Sequence, residues 1–506
     1  MSALQDRLRE WLDDDAEPRE YGTRRQPPAP RHSPLSGIWR LPGRYAAITL
    51  GSALLLIAAV TGVSAAPMRG QPLAGVAAAL SSALGLCVIM LAALPRTPRI
   101  FAGIGERYAR WLWAQVAGLL LTVAMALGTA SAFAGGALFA LGPPPAQSYM
   151  TDIIAFGETN ARLVLAGQNP YTSDGAFWTA LRDYPHAMAT PLQRGRFAGS
   201  LDYPPVAQVY QAQHEAAAQP GQPHPEFDPR TLHSYPALSF LVYIPLLAAG
   251  VENVLWLHVV VYFALYAWLV WLTPLGWRGW GALVAGTALT TVGGSLFTAN
   301  DIFCVAFILT AWRCRRKAWL SAALLGLACA FKQYAWFFAP ILLAEALARR
   351  GWGDAARRGL IALAAFAAPN LPFIIASPVA WWASVWLPME NGMFQQGVGL
   401  VALSMDHALP NAPSWLLAAL EFAALAGVTL LVWRRAPTLG EAAPLLALIP
   451  LFFAGRAFAS YFAFAPWMAL YAVNALERRR TALRAAEFTG GPPHLAGASP
   501  AGGRGG

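Results

Sequence analysis

The chain has 506 residues, of which 57% are hydrophobic and only 12% are charged, and its mean hydropathy is positive at +0.44. The formal net charge of +10 does not indicate nucleic acid binding, because the arginines cluster in short runs beside apolar segments, as they do at cytoplasmic ends of membrane spans. All four cysteines lie in or beside predicted spans and indicate no disulfide framework. The composition therefore predicts a polytopic membrane protein.

Apolar segments recur along the whole chain, and about 20 such residues are needed to cross ~30 Å of hydrocarbon as a helix. In chain order the predicted spans are Ala46 to Val63, Leu73 to Leu94, Leu112 to Leu141, Pro236 to Ala249, Val254 to Leu272, Ala282 to Phe297, Ile302 to Trp312, Leu320 to Leu347, Leu360 to Ile375, Trp415 to Trp433, Ala443 to Phe453 and Phe458 to Val473. We predict an all-α fold, a polytopic transmembrane helical bundle of about 11 to 13 spans. A large extracytoplasmic loop with short interfacial helices interrupts it.

The predicted organisation has five parts. They are a cytoplasmic N-terminal segment (1–44), N-terminal transmembrane helices (45–141), an extracytoplasmic loop (142–233), a transmembrane core (234–476) and a disordered cytoplasmic tail (477–506). No apolar stretch typical of a signal peptide precedes the first span, so the N-terminal segment is expected in the cytoplasm.

The positive-inside rule sets the predicted orientation. The basic clusters assigned to the cytoplasm are Arg96 to Arg110, Arg313 to Lys317, Arg349 to Arg358, Arg434 to Arg435 and Arg478 to Arg480. Between the outer loop and Arg313 lie four apolar stretches, where an odd number of crossings is required. We expect a broken or re-entrant pair at Ala282 to Asn300, which contains Gly293-Gly294, and two short helices in Ala318 to Arg349, separated near Lys332.

Asp152 follows the third predicted span, at the start of the outer loop. A carboxylate at the water boundary can accept a proton from a lipid-borne substrate, whereas the simpler interpretation is the N-cap of a short helix that ends at Gly167. Lys332 lies between apolar stretches, where a cation indicates function unless it snorkels to an interface. Arg456 lies on the predicted outer side, against the usual placement of arginines.

Several ordered motifs resemble the GT-C class of membrane glycosyltransferases, most closely its bacterial α-1,2-mannosyltransferase-like members. They are Asp152, Ala161-Arg162-Leu163-Val164-Leu165-Ala166-Gly167-Gln168-Asn169-Pro170-Tyr171, Tyr203-Pro204-Pro205, Tyr235-Pro236-Ala237-Leu238, Thr298-Ala299-Asn300-Asp301, Gly326-Leu327-Ala328-Cys329-Ala330-Phe331-Lys332-Gln333 and Arg456-Ala457-Phe458-Ala459-Ser460-Tyr461-Phe462. The two spans before Leu112 and the long loop from Asp174 to His233 depart from the pattern of such enzymes.

The resemblance implies transfer of a sugar, with mannose expected, from a polyprenyl-phosphate donor to a lipid or cell-envelope glycan acceptor. The reaction would invert the anomeric carbon at the extracytoplasmic face of the plasma (inner) membrane, with Asp152 as general base. Phosphate needs fixed cations, which Lys332 and Arg456 can supply. The candidate sugar- or acceptor-binding residues are Glu158, Asn169, Tyr171, Tyr203, Asn300, Asp301, Gln333 and Tyr461. For Asn300 and Asp301 helix capping is the alternative, and for the loop tyrosines interfacial anchoring.

Other classes of site find little support in the sequence. The loop histidines are too scattered for zinc, and no Gly-rich phosphate cradle follows a strand, so we predict no metal and no required cofactor beyond the donor substrate. The expected partners are membrane lipids, the polyprenyl-phosphate sugar and the glycan or glycolipid acceptor, with no nucleic acid. The alternative function is a secondary transporter or a flippase for lipid or polyprenyl phosphate, although the halves show no convincing repeat.

Overall fold

The computed structural model describes residues 43–64, 71–95, 112–141, 149, 152–173, 179–180, 183–184, 189–200, 202–219, 222–227, 234–287, 300–386 and 392–488. Within these ranges the regular structure is helical, apart from one pair of two-residue strands and an isolated bridge. The predicted all-α polytopic fold is confirmed. The N-terminal segment before Gly43, the basic cluster Arg96 to Arg110 and the Gly293-Gly294 pair lie outside the described residues, as does the tail after Phe488.

Helices α1 to α9 form the first part of the chain. Their bounds are α1 Gly43–Ala59, extended by the π-helical turn Val60–Ser64, α2 Pro72–Ala93, α3 Leu112–Leu141, α4 Asp152–Leu165, α5 Val206–Ala218, α6 Leu238–Leu241, α7 Ile244–Ala248, α8 Leu255–Leu272 and α9 Arg278–Thr287. Short 3₁₀ turns occupy Gly195–Phe197 and Leu275–Trp277.

Helices α10 to α19 form the rest. Their bounds are α10 Asp301–Arg313, α11 Ala318–Phe331, α12 Phe338–Arg350, α13 Trp352–Ala376, α14 Pro378–Trp386, α15 Val401–Met405, α16 Ser414–Leu439, α17 Leu448–Phe453, α18 Ala459–Phe462 and α19 Ala465–Phe488. Strand β1, Gln396–Gly397, pairs in parallel with β2, Arg456–Ala457. 3₁₀ segments cover Gln333–Phe337 and Gly440–Ala447. The last helix passes the predicted boundary at 476.

Five helical segments in the described part of the chain are long and apolar enough to cross a membrane. They are Gly43–Gly62, Pro72–Ala93, Leu255–Leu272, Trp352–Ala376 and Ser414–Phe453, and shorter apolar helices cover Val116–Gly128, Leu238–Ala248 and Ala318–Phe331. Only 6% of the apolar window of α13 is buried by protein, so hydrocarbon is the environment that this surface fits. The chain is a membrane protein.

The predicted span Leu320 to Leu347 is interrupted at Lys332, as expected for two short helices. Helix α11 ends at Phe331, Lys332 adopts an extended conformation, and α12 begins at Phe338. The side chain of Gln333 stabilises the break, because its amide donates to the carbonyls of Ser234 at 2.5 Å and Val385 at 2.8 Å.

The predicted span Pro236 to Ala249 contains two short helices, α6 and α7, separated by a turn at Val242 and Tyr243. Both pack on α4, and a Cβ on Gly157 of α4 would lie 2.7 Å from the ring of Tyr243.

The arginine-rich ends of several helices meet at one end of the bundle. Buried Glu441 accepts hydrogen bonds from Arg315 at 2.5 Å and from Arg479 at 3.0 Å, and so links α10, α19 and the 3₁₀ segment before α17. Asp301 begins α10 and Lys332 follows the last residue of α11, each about 20 Å from the arginine-rich end at ~1.5 Å per residue. Asp301 and Lys332 therefore lie at the opposite end from the arginines.

The N-terminal hairpin of α1 and α2 packs against the segment that contains β1. The hydroxyl of Ser82 on α2 donates to the carbonyl of Val398 at 2.6 Å, and Gly75 fits against the carbonyl oxygen of Ala402. At Gly397 the backbone φ is +147°, and a Cβ would lie 2.2 Å from the Ala457 carbonyl oxygen. Only glycine allows the two strands to approach this closely.

Candidate functional site

Asp152 is the first residue of α4, and its side chain is neither fully buried nor fully exposed. One carboxylate oxygen accepts the backbone N–H of Thr190 at 3.3 Å. Burial raises the pKa of Asp152, while the Thr190 N–H and the charges of Arg456 and Lys332 oppose that increase. The loop that follows α4 therefore folds back and fixes the orientation of the predicted base.

Arg456 lies close to Asp152, since both side chains contact Thr190. Its guanidinium Nη2 lies 3.4 Å from the Thr190 hydroxyl, Nη1 lies 2.9 Å from the sulfur of Met393, and the group stacks over the ring of Phe458 at 4.9 Å. In the part of the chain that the structure describes, no carboxylate lies within ion-pair distance of Arg456. Strand β2, which contains Arg456, is fixed by its pairing with β1.

Lys332 is buried and forms an ion pair with Asp301, with Nζ 2.6 Å from Oδ1. Its ammonium also lies 5.3 Å from the ring centroid of Tyr235 and 5.7 Å from that of Tyr461. The two aromatic rings and the carboxylate thus stabilise the ammonium and offset the free-energy cost of removing its charge from water.

The hydroxyl of Tyr235 interacts electrostatically with Lys332, Asp152, Arg456 and Asp301. Direct contacts join Lys332 to Asp301 and join Asp152 and Arg456 to Thr190, and the charges of Lys332 and Arg456 both act on Asp152 through space. The formal charges of the two carboxylates and the two cations cancel. Lys332 is neutralised directly by Asp301, whereas Arg456 contacts only neutral groups within hydrogen-bond distance, so Arg456 is the better placed of the two to receive an anion.

Asn300 and Asp301 begin α10 deep in the protein, and each is only 1% exposed. Asn300 occupies the N-cap position without a side-chain capping bond. Among the residues that the structure describes, neither polar atom of its side chain nor Oδ2 of Asp301 has a hydrogen-bond partner. Such buried polar atoms are costly, and a polar ligand is one of the causes that can retain them.

Several other predicted binding residues have their polar groups occupied by the protein. Glu158 is buried, accepts a short hydrogen bond from the Tyr149 hydroxyl, and pairs with Arg162 at 2.6 Å. The Asn169 side chain accepts the N–H of Tyr171 at 3.0 Å, and the Tyr171 hydroxyl donates to the Tyr235 carbonyl at 3.0 Å. These bonds shape the connection after α4.

The remaining aromatic candidates have different surroundings. Tyr203 is buried and packs edge-on against Phe394 at 5.6 Å. Tyr461 contacts the ring of Tyr334 at 5.5 Å and faces Lys332. The amide of Gln333 is bound to the two backbone carbonyls described above. Among the aromatic candidates, Tyr461 is therefore the one in contact with the charged cluster.

The sequence reasoning missed two members of this cluster, Thr190 and Tyr235. Tyr235 belongs to a motif used for the family resemblance, and its position before a proline and an apolar segment was the available signal. Thr190 lies in a long loop, and no local pattern distinguishes it from other loop residues. Its role depends on a tertiary contact with Asp152 and Arg456.

Residues 233–453 match the family model of glycosyltransferase family 87. The match supports a glycosyltransferase activity and a membrane enzyme of the GT-C kind. It covers less than half of the chain, includes Asp301 and Lys332, and leaves Asp152 and Arg456 outside its bounds. No curated protein and no solved structure matches the chain.

Proposed function

We propose that the protein transfers a sugar, with mannose as the expected one, from a polyprenyl-phosphate donor to a hydroxyl of a lipid or cell-envelope glycan. Asp152 is the general base in this proposal. The observation that supports it is the contact of both Asp152 and Arg456 with Thr190, together with the match of residues 233–453 to a glycosyltransferase family model.

The chemistry follows from the two charged groups that face each other across Thr190. Asp152 accepts the proton of the acceptor hydroxyl as that oxygen attacks the anomeric carbon, and the bond from this carbon to the phosphate oxygen breaks. The leaving polyprenyl phosphate gains negative charge, which Arg456 stabilises through its guanidinium. Attack opposite the phosphate inverts the anomeric carbon.

Lys332 has a second role in this proposal. Its ion pair with Asp301 holds the ammonium near the rings of Tyr235 and Tyr461, and a hydrogen of the ammonium that Asp301 does not use can bind an oxygen of the donor phosphate. The buried polar atoms of Asn300 and Asp301 that have no partner among the described residues are suited to hydroxyl groups of the donor sugar.

The proposed side of the membrane follows from the charge distribution. Arginines gather at the end of the bundle that contains Arg315 and Arg479, which the positive-inside rule assigns to the cytoplasm. Asp301 and Lys332 lie about 20 Å away along α10 and α11, at the other end. We therefore assign the reaction to the extracytoplasmic face of the plasma (inner) membrane.

The decisive assay is sugar transfer by the purified protein in detergent, where no transmembrane gradient exists. We expect product from polyprenyl-phosphate mannose and a mannoside acceptor, and none from a nucleotide-linked mannose. Asp202→Asn changes an exposed carboxylate of the same loop and should leave the rate unchanged, whereas Arg456→Gln should weaken donor use. Movement of polyprenyl phosphate across vesicles without any transfer would contradict the proposal and favour the flippase.

A further inference from the structure

A cavity of about 470 Å³ lies beside α4, away from the charged cluster. Its lining residues are Thr159, Arg162, Leu163, Ala166, Gln168, Thr179, Asp183 and Tyr184. The volume falls in the range of about 300 to 1,000 Å³ that is typical of small-molecule sites. Neither the sequence motifs nor the proposed chemistry assigns a role to this cavity.

The cavity and Asp152 share one face of α4. Thr159 follows Asp152 by seven residues, which is close to two helical turns, and Arg162, Leu163 and Ala166 continue the same stripe. At ~1.5 Å per residue the cavity begins about 10 Å along the helix from the proposed base. This separation suits a second binding position for an extended substrate whose reacting end lies at Asp152.

The polar wall of the cavity is held rigidly by a buried carboxylate. Glu158 receives two hydrogen bonds from Arg162, at 2.6 and 2.9 Å, and one from Tyr149. The ring of Tyr149 packs against that of Tyr184 at 4.8 Å, which fixes an aromatic surface at the cavity. The donors and the ring are thus positioned before any ligand binds, which lowers the cost of binding.

The lining chemistry distinguishes between neutral and anionic ligands. Among the described residues that line the cavity, Arg162 is neutralised by Glu158 and Asp183 is a carboxylate, so these residues present no excess positive charge to a phosphate group. The amide of Gln168 and the hydroxyl of Thr179 can exchange hydrogen bonds with hydroxyl groups beside the Tyr184 ring, and the Thr159 hydroxyl, which donates to the Ala155 carbonyl at 2.9 Å, can accept one. These groups suit a neutral, polyhydroxylated ligand.

We propose that this cavity binds a sugar residue of the acceptor glycan distant from the hydroxyl that reacts at Asp152. The inference rests on the proposed glycosyltransferase function and adds that the acceptor is an oligosaccharide or its glycolipid, not a single sugar. Acceptors long enough to reach from Asp152 to the cavity gain affinity there, whereas shorter acceptors do not.

The test is a series of acceptors of one to four mannose residues, assayed with the full-length protein and a fixed donor. We expect kcat/KM of the wild type to rise once the acceptor reaches the cavity. Gln168→Ala and Thr179→Val should each reduce that gain about five- to tenfold, which corresponds to roughly one hydrogen bond. Their kcat/KM for the single-residue acceptor and their KM for the donor should not change.

Gln208→Ala provides the matched control, because Gln208 is an exposed glutamine on α5 that does not line the cavity. Equal kcat/KM for all acceptor lengths in the wild type, or an equal loss for every acceptor in the Gln168 and Thr179 variants, would overturn the subsite and leave the transferase proposal standing. Absence of transfer with every acceptor and donor would overturn both.

Discussion

The buried ion pair of Asp301 and Lys332 should contribute strongly to the free energy of unfolding when only one of its partners is replaced. The two side chains are 1% and 5% exposed, and their charged atoms lie 2.6 Å apart. Removal of one partner from such a pair costs about 3 to 5 kcal/mol, because the other charge stays buried without compensation. Asp301→Asn should therefore lower the free energy of unfolding by this amount.

The double variant Asp301→Asn with Lys332→Met separates the pair from the individual side chains. Loss of both charges should restore most of the stability lost in either single variant, because neither charge is left buried alone. Thermal and denaturant unfolding in detergent measure the three free energies. The donor KM should stay raised in the double variant, because the proposed interaction of Lys332 with the donor phosphate is lost.

Glu477→Gln is the matched control, because Glu477 pairs with Arg480 at 2.8 Å and the two side chains are 26% and 43% exposed. Exposed pairs contribute about 0 to 1 kcal/mol, so this variant should unfold almost like the wild type. Additive losses in the double variant, or single variants as stable as Glu477→Gln, would refute the reasoning about the buried pair.

Two further predictions concern the ionisation of Asp152 and the packing of the N-terminal hairpin against the segment that contains β1. Because burial raises the pKa of Asp152 and only the ionised carboxylate accepts a proton, the transfer rate should rise with pH through a pKa above the ordinary value of an aspartate. Arg456→Leu removes a positive charge that lowers the pKa of Asp152, so the rise of the transfer rate should move to higher pH in this variant. A pH–rate profile with the rise at the wild-type pH would show that Arg456 does not influence the ionisation of Asp152. Gly75→Leu forces a side chain toward the Ala402 carbonyl, where a Cβ would lie at 2.5 Å, and should cost about 1 to 3 kcal/mol. It should also raise the donor KM, because β1 pairs with β2 and so positions Arg456. Ser82→Ala should raise the donor KM less. An unchanged donor KM in both variants would exclude a role of the hairpin in positioning Arg456.

The sequence predicted the parts of the fold that depend on local hydropathy. The apolar segments at α2, α8 and α16 identified helices within a few residues, and the polar pair Lys332-Gln333 inside an apolar run indicated the break between α11 and α12. The turn that divides Pro236 to Ala249 into α6 and α7 was not predicted, because a continuous apolar run contains no local signal for it. Tyr243 in this turn packs against Gly157 of α4.

The sequence was sufficient to select residues of the candidate site, but not to predict which of them contact each other. Asp152, Lys332 and Arg456 could be selected because charged residues beside apolar segments are rare and costly. The pairing of Lys332 with Asp301 joins two different helices, and the contact of Asp152 and Arg456 with Thr190 joins α4, a loop and β2. Neither follows from spacing along the chain, because both depend on how distant elements pack.

The most direct test of the proposed mechanism compares donor binding with transfer in Asp152→Asn. We expect this variant to bind polyprenyl-phosphate mannose with an affinity close to that of the wild type, because the phosphate contacts belong to Arg456 and Lys332. Its single-turnover transfer rate should fall about 10²- to 10⁴-fold, the usual contribution of a general base. Transfer by Asp152→Asn at the wild-type rate would contradict the assignment of the base.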